Sequence, residues 1–204
     1  EMCIRDRNRA FAEADVKVLT GDISLHYYAG YGGGRKSVLP GLCGLKTIQR
    51  NHAMLLNPNA RPGNLEGNPI HQDMTEAARL AGVDFIINVV LNAKKQIVKA
   101  FAGDLEEAFM EGVKFADGLY KVPVSEEADI AVVSAGGRPF DLNLYQADKA
   151  IEHVIHVVRK GGVVILAAEC PEGYGDEKFY EWAIKFRSLD EVKREIRRNF
   201  VLGG

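Results

Sequence analysis

Two histidines, a glycine run and a lysine fall within one short stretch of this 204-residue chain. His26-Tyr27-Tyr28-Ala29-Gly30-Tyr31 leads into Gly32-Gly33-Gly34-Arg35-Lys36, and His52 follows sixteen residues after the lysine. Consecutive glycines let a backbone come close to an anion, and Arg35 and Lys36 add positive charge beside it. The spacing is neither that of a P-loop nor that of a dinucleotide fingerprint. Taken alone, the run has two readings, an anion cradle or a solvated turn. His26 also has two: a hydrogen-bonded structural residue among tyrosines, or a general base, since neutral imidazole can take a proton from an alcohol near neutral pH. His52 is a candidate metal ligand because imidazole suits nickel, zinc and copper. One histidine makes no metal site, so the other donors would have to come with a cofactor.

These residues need elements to hold them. Val16-Lys17-Val18-Leu19-Thr20 reads as a strand running into Gly21-Asp22, which puts the glycine-rich segment on the loop that follows. Helical spacing from Thr47 to Leu56, with Thr47 as N-cap, places His52 on a helix. Breakers crowd residues 57–68, a helix covers Ile70 to Ala81 with Gly82 as its cap, and Phe85 to Leu91 pairs as a hairpin with Gln96 to Phe101. A helix from Leu105 to Tyr120 precedes an extended connector.

The pattern then restarts. Ile130 to Ser134 is a strand, about Asn143 to Arg159 a helix, and Val163 to Ala167 a strand after Gly161-Gly162, a βαβ unit expected to pair in parallel with right-handed crossover. Residues 177–200 read as mostly helical. The expected class is α/β, with two α/β domains, 1–125 and 126–204, both incomplete and with a cleft between them. Gln146 and Lys149, three apart, share a helix face. Asn143 and Gly136-Gly137 put that face at a helix start, which favours an anion, the alternative being a solvated face.

Composition narrows the classes. Hydrophobic residues make up 47% and charged residues 26%, with a net charge of −2, ordinary globular values that give no electrostatic case for nucleic acid. No apolar run nears the roughly 20 residues of a membrane span, and the opening Glu1-Met2-Cys3-Ile4-Arg5 lacks a signal-peptide core. Cys3, Cys43 and Cys170 form neither a Cys-x-x-Cys pair nor an even framework, which fits a reducing cytoplasm. The charged opening and the stop just after a helical pattern read as those of a fragment.

The order His26, Gly33-Gly34-Arg35-Lys36-Ser37, Pro40-Gly41, Thr47 and Asn51-His52, followed by Ala135-Gly136-Gly137-Arg138-Pro139 and Asn143-Leu144-Tyr145-Gln146-Ala147-Asp148-Lys149, resembles the nickel-dependent lactate racemase family. The resemblance spans about residues 16 to 187. It implies a fragment lacking both terminal parts of such a protein, and a nickel-pincer nucleotide, a pyridinium mononucleotide whose sulfurs and ring carbon hold nickel. By this resemblance Lys36 tethers the cofactor covalently, His52 completes the nickel coordination, and His26 is one of two acid/base histidines. The other histidine and a substrate-fixing arginine belong upstream of this chain. Tyr145, Gln146 and Lys149 would line the substrate site, with Gln146 and Lys149 directed at a carboxylate.

The implied reaction inverts a 2-hydroxy acid such as lactate by transient hydride transfer, since the α-hydrogen is too weakly acidic for an ordinary base. The implied partners are the 2-hydroxy carboxylate and the enzymes that mature the cofactor, with neither nucleic acid nor membrane. Two rivals are a nicotinamide-dependent 2-hydroxy acid dehydrogenase, disfavoured by the missing fingerprint between Ile130 and Asn143, and a non-catalytic anion-binding module. His71 at a helix start is expected to cap or face solvent. His153 and His156 lack further ligands nearby in sequence. Cys170, after a strand, is expected to be a buried small residue that could border a cleft.

Overall fold

A computed structural model describes residues 6–201, so Cys3 and the rest of the opening segment lie outside the described residues. The chain divides between Lys121 and Val122 into two compact units. The first begins with a short helix, α1 (Arg9–Glu13), that the charged opening did not suggest. Its sheet has the order β1 (Val18–Asp22), β4 (Phe85–Leu91), β5 (Ile97–Gly103). β1 runs parallel to β4, and β4 forms the expected antiparallel hairpin with β5. Between β1 and β4 lie β2 (Leu25–His26), β3 (Gly30–Tyr31), α2 (Leu45–His52) and α3 (Pro69–Ala81), and α4 (Glu107–Tyr120) follows β5.

Alternation along β4 turns Ile86, Asn88 and Val90 inward, while Phe85 and Ile87 face out. Ile86 and Val90 pack with Leu19, Ile23, Phe109 and Val113, which joins the sheet to α4. A second cluster, Tyr28, Ala29, Leu39, Ile70, Met74 and Ala77, sits beneath the functional segment. Each large aliphatic buried in this way contributes roughly 1.5–3 kcal/mol. Asn88 is the exception in the buried row, and its amide oxygen accepts from Gly34 N–H at 2.6 Å. The strand thereby pins the glycine run.

The glycine-rich segment is not a plain loop. His26 pairs with Gly30 in a two-residue hairpin of β2 and β3, and residues Gly34–Ser37 form a 3₁₀ turn that carries Arg35 and Lys36. Ser37 Oγ donates to the Thr20 carbonyl and ties that turn to β1. α2 begins at Leu45 behind Gly44. Thr47 is therefore inside the helix and not its cap; its hydroxyl donates to Asp6 Oδ2. The helix breaks into a 3₁₀ turn at Ala53–Leu56. α3 matches its expected span, with Gly82 in the left-handed region at φ 69°.

The second unit contains β6 (Ala128–Ser134) and β7 (Val158–Ala167), paired in parallel as expected. The single helix expected from Asn143 to Arg159 is instead α5 (Leu144–Ala147), α6 (Lys149–Val154) and a 3₁₀ turn at Ile155–Val157. The run Val154-Ile155-His156-Val157-Val158 is rich in β-branched residues, which resist helix. It ends in strand three residues before Gly161, whose φ of 80° accompanies a register shift opposite Ala128 and Ile130. α7 (Glu177–Lys185) and α8 (Leu189–Asn199) close the unit. No helix among the described residues is long and apolar enough to cross a membrane.

Gly30 has φ 78°, and a Cβ there would lie 2.3 Å from the Asn64 carbonyl oxygen. Gly30→Ala should therefore cost at least about 2 kcal/mol, strain and clash combined. A denaturant midpoint unchanged from that of the parent would refute this account of the hairpin.

Candidate functional site

The first unit gathers His26, Lys36 and His52 at the carboxyl end of β1, where parallel α/β strands place their ligand loops. Tyr28 is the link between the histidines. Its ring meets His26 edge-on with centroids 4.6 Å apart and His52 with centroids 4.8 Å apart. Tyr27 stacks on His26 at 4.6 Å and also meets the Tyr28 ring, 4.3 Å away. His26 Nδ1 accepts from Ala29 N–H at 3.2 Å, so the neutral ring carries its proton on Nε2. To take a proton at Nε2 the ring must first move its own to Nδ1 and give up that one long bond, about 1 kcal/mol.

His52 is 5% exposed at the end of α2. Its Nδ1 lies 3.2 Å from Asn51 Oδ1. The Asn51 amide has a fixed orientation because its Nδ2 donates to Asp73 Oδ2 at 2.8 Å and to the Ile70 carbonyl. The oxygen therefore faces His52 and Nδ1 carries the proton, the tautomer in which Nε2 bears the lone pair that a metal ligand needs. Burial, and then the neighbouring Lys36 charge, push the His52 pKa down to about 4. The ring is neutral at physiological pH, as a metal ligand must be.

Lys36 is also perturbed. Burial first, then the Arg35 charge, bring its ammonium down to about 8, with Asp22 opposing. Near neutral pH a usable fraction of the amine is unprotonated and nucleophilic. Arg35 beside it is 2% exposed. Its guanidinium donates to the carbonyls of Ala29, Gly32 and Gly33 and, through Nε, to His71 Nδ1 at 3.0 Å, and it lies 4.3 Å over the Phe109 ring. A Cβ at Gly33 would come within 2.8 Å of Asn88 Oδ1, and Gly33 has φ 79°. The glycine is required there by the close approach of β4.

Three contributors escaped the sequence reading. His71 neither caps nor faces solvent: it is half-buried against Phe109 and holds Arg35. Asn68 supplies the α3 cap instead, accepting from the N–H groups of Ile70 and His71. Asn88 is hidden in an apolar strand. A buried polar residue in an otherwise hydrophobic run is the signal that could have found it.

In the second unit, Asn143 caps α5 by accepting from Gln146 N–H at 3.1 Å, and its Nδ2 donates to Glu172. Lys149 Nζ donates to Gln146 Oε1 at 2.7 Å and stands 5.3 Å over the Tyr145 ring. Tyr145, Gln146 and Lys149 thus form one cluster despite the break between α5 and α6. The Tyr145 ring meets Phe179 edge-on, and burial raises its phenol pKa. The loop around Cys170 docks on this region through the Asp141, Leu142, Leu144 and Tyr145 backbone. Cys170 itself is half-exposed, with φ 48°, and not a buried filler.

Among the described residues no group of three or more His, Cys, Asp or Glu side chains is placed to hold a metal. A metal held by His52 could take further donors from a bound cofactor. One neutral imidazole beside a nucleophilic lysine fits a metal delivered on a lysine-tethered group.

Between about pH 8 and 10.5 the unfolded chain still holds the Lys36 proton while the folded chain has released it, so stability attributable to this group rises with pH there. Lys36→Met should accordingly stabilise the protein at pH 7 by about 1–3 kcal/mol. The advantage should shrink above pH 8, and urea titrations at several pH values will measure both effects. Burial depresses His52 and His71 alike, to about 4, so stability should fall on acidification from pH 6.5 toward 4 as the unfolded imidazoles bind protons first.

Residues 6–63 match the lactate racemase N-terminal domain and residues 124–200 the lactate racemase C-terminal domain. The lactate racemase of Thermoanaerobacterium thermosaccharolyticum is 42% identical over 191 residues, 93% of this chain and 45% of that protein. That of Lactiplantibacillus plantarum is 46% identical over 175 residues, 85% and 41% of the two lengths. The chain thus spans less than half the length of these relatives. The lactate racemase apoprotein structure from T. thermosaccharolyticum superposes with a TM-score of 0.89 at 42% identity, covering 95% of this chain and 46% of that one. A Thermotoga maritima protein shares the fold alone, at a TM-score of 0.73 and 18% identity over 95% of this chain and 50% of the other. With both family domains present in order and close relatives along nearly its whole length, the chain belongs to the lactate racemase family.

Proposed function

We propose that the protein to which this chain belongs is an isomerase that inverts C2 of a 2-hydroxy acid, lactate by default, and that it uses a nickel-pincer nucleotide attached through Lys36. One observation carries this reading. A lysine with a partly unprotonated amine, a neutral histidine protonated on Nδ1 and a second histidine lie in the first unit, the two histidines joined through Tyr28 and His52 within the field of the Lys36 charge. When bound, the group supplies a nickel-activated pyridinium carbon able to accept hydride.

The chain's own residues do the rest. Lys36 would hold the cofactor through Nζ, its lowered pKa making the unprotonated amine available for that attachment. His52 donates Nε2 to the metal, kept in the correct tautomer by Asn51 and Asp73. His26 moves the proton of the substrate hydroxyl through Nε2, its ring fixed by Tyr27 and Tyr28. Lys149, held by Gln146, presents its ammonium to the substrate carboxylate, and Tyr145 shields the pair. The maturation enzymes that build the cofactor are the expected partners. The cytoplasm is the expected compartment, in keeping with Cys43 and Cys170 standing as thiols among the described residues.

The full-length protein, produced with cofactor-maturation enzymes, should carry a covalent adduct on Lys36 by mass spectrometry, bind nickel, and interconvert lactate enantiomers by chiral chromatography. Lys36→Ala should lose the adduct, and His52→Ala should lose nickel while keeping it. His26→Ala should keep both and racemise at least about 100-fold more slowly. A wild-type protein with neither adduct nor nickel would sink this reading.

A further inference from the structure

Arg35 brings a charge into the interior, and among the described residues no carboxylate meets it. Three of its acceptors, the carbonyls of Ala29, Gly32 and Gly33, belong to the loop that Arg35 itself ends. They shape that loop but attach it to nothing else. The fourth acceptor is His71 Nδ1, on α3. Because a guanidinium always donates, His71 must present a lone pair at Nδ1 and keep its proton on Nε2. The ring is well held for this: Thr75 Oγ donates to the His71 carbonyl, Asn68 caps the His71 N–H, and Phe109 lies alongside the ring.

A carboxylate could have filled the same role. Glu106 lines the same cavity of about 30 Å³ as Arg35 and His71, yet both its oxygens are taken by Arg79, at 2.5 and 2.6 Å. A neutral acceptor differs from a carboxylate in one respect. It fixes the guanidinium without cancelling its charge, and that charge acts on the amine of the next residue, Lys36.

We infer that His71 is a positioning residue for the lysine: it anchors Arg35 to α3 through an uncharged hydrogen bond and so sets both the shape of the Ala29–Lys36 loop and the field felt by the Lys36 amine. The inference rests on the reading of Lys36 as the cofactor tether. His71 acts through Arg35, its side-chain partner, and is given no part in the reacting groups.

The test compares His71→Asn, whose amide oxygen can replace the Nδ1 acceptor, with His71→Leu and His71→Phe, which remove it; the phenyl ring keeps the packing on Phe109. In the cofactor-free full-length protein, acetic anhydride labelling of Lys36 followed by mass spectrometry across pH 6–11 gives the midpoint of its amine. The occupancy of the adduct is then measured after co-production with maturation enzymes, and thermal melts report folding. The wild type should titrate near pH 8. The Asn variant should stay within about twofold of it in neutral amine at pH 7.5, whereas Leu and Phe should move the midpoint up by about one unit, about an eightfold loss of neutral amine at that pH. Adduct occupancy should fall with it. A folded Leu or Phe variant with the wild-type midpoint would overturn the inference, as would an Asn variant as impaired as Leu. A wild type that acquires no adduct would overturn the tether reading, while the labelling series still decides the role of His71.

Discussion

Arg35 keeps its charge at a position only 2% exposed, and the architecture around it follows from that constraint. Desolvating a cation costs several kcal/mol unless its donors are met. Here they are met chiefly by carbonyls of the preceding residues, which forces the backbone from Ala29 to Gly33 to wrap the guanidinium. Such a wrap needs left-handed glycines and leaves N–H groups pointing away. Asn88 meets one of them at Gly34. The hairpin, the 3₁₀ turn and the polar residue in the middle of β4 are thus parts of one solution to burying a cation.

The same burial explains the electrostatics of the site. Lys36, His52 and His71 are all pushed toward their neutral forms, with desolvation the leading cause in each and a neighbouring cation the next. Neutral imidazole ligates metals and accepts hydrogen bonds, and neutral amine is a nucleophile. A single physical circumstance, low polarity next to a fixed positive charge, therefore equips three residues for different tasks. The second unit works differently. Its lysine is held by an amide and a ring at a helix break.

Much of this was legible from residue order. β1, α3, the β4–β5 hairpin and the β6–β7 pair announce themselves by alternation, caps and breakers, and His52 falls on a helix as its spacing implies. The family motifs point to His26, Lys36 and His52 without any geometry. What escaped depends on distant partners: Asn88 meets Gly34 across 54 positions and His71 meets Arg35 across 36. No local pattern encodes such pairs. Thr47 misled for a related reason, since a residue with good capping chemistry was claimed by Asp6 instead. The helix expected to reach Arg159 ended at Val154, where β-branched residues competed with a strand.

Asn68 is completely buried, and it works in two directions. Its oxygen closes the first turn of α3, while its nitrogen donates to the carbonyls of Tyr28 and Asn64. The end of a helix, normally the part that frays first, is thereby spliced to the aromatic hairpin that carries His26. Opening either one exposes an unsatisfied amide in the other, so the two share a single cooperative unit. Thermal motion that would loosen the helix start is resisted by the hairpin that carries His26, and the hairpin inherits the rigidity of thirteen helical residues behind it.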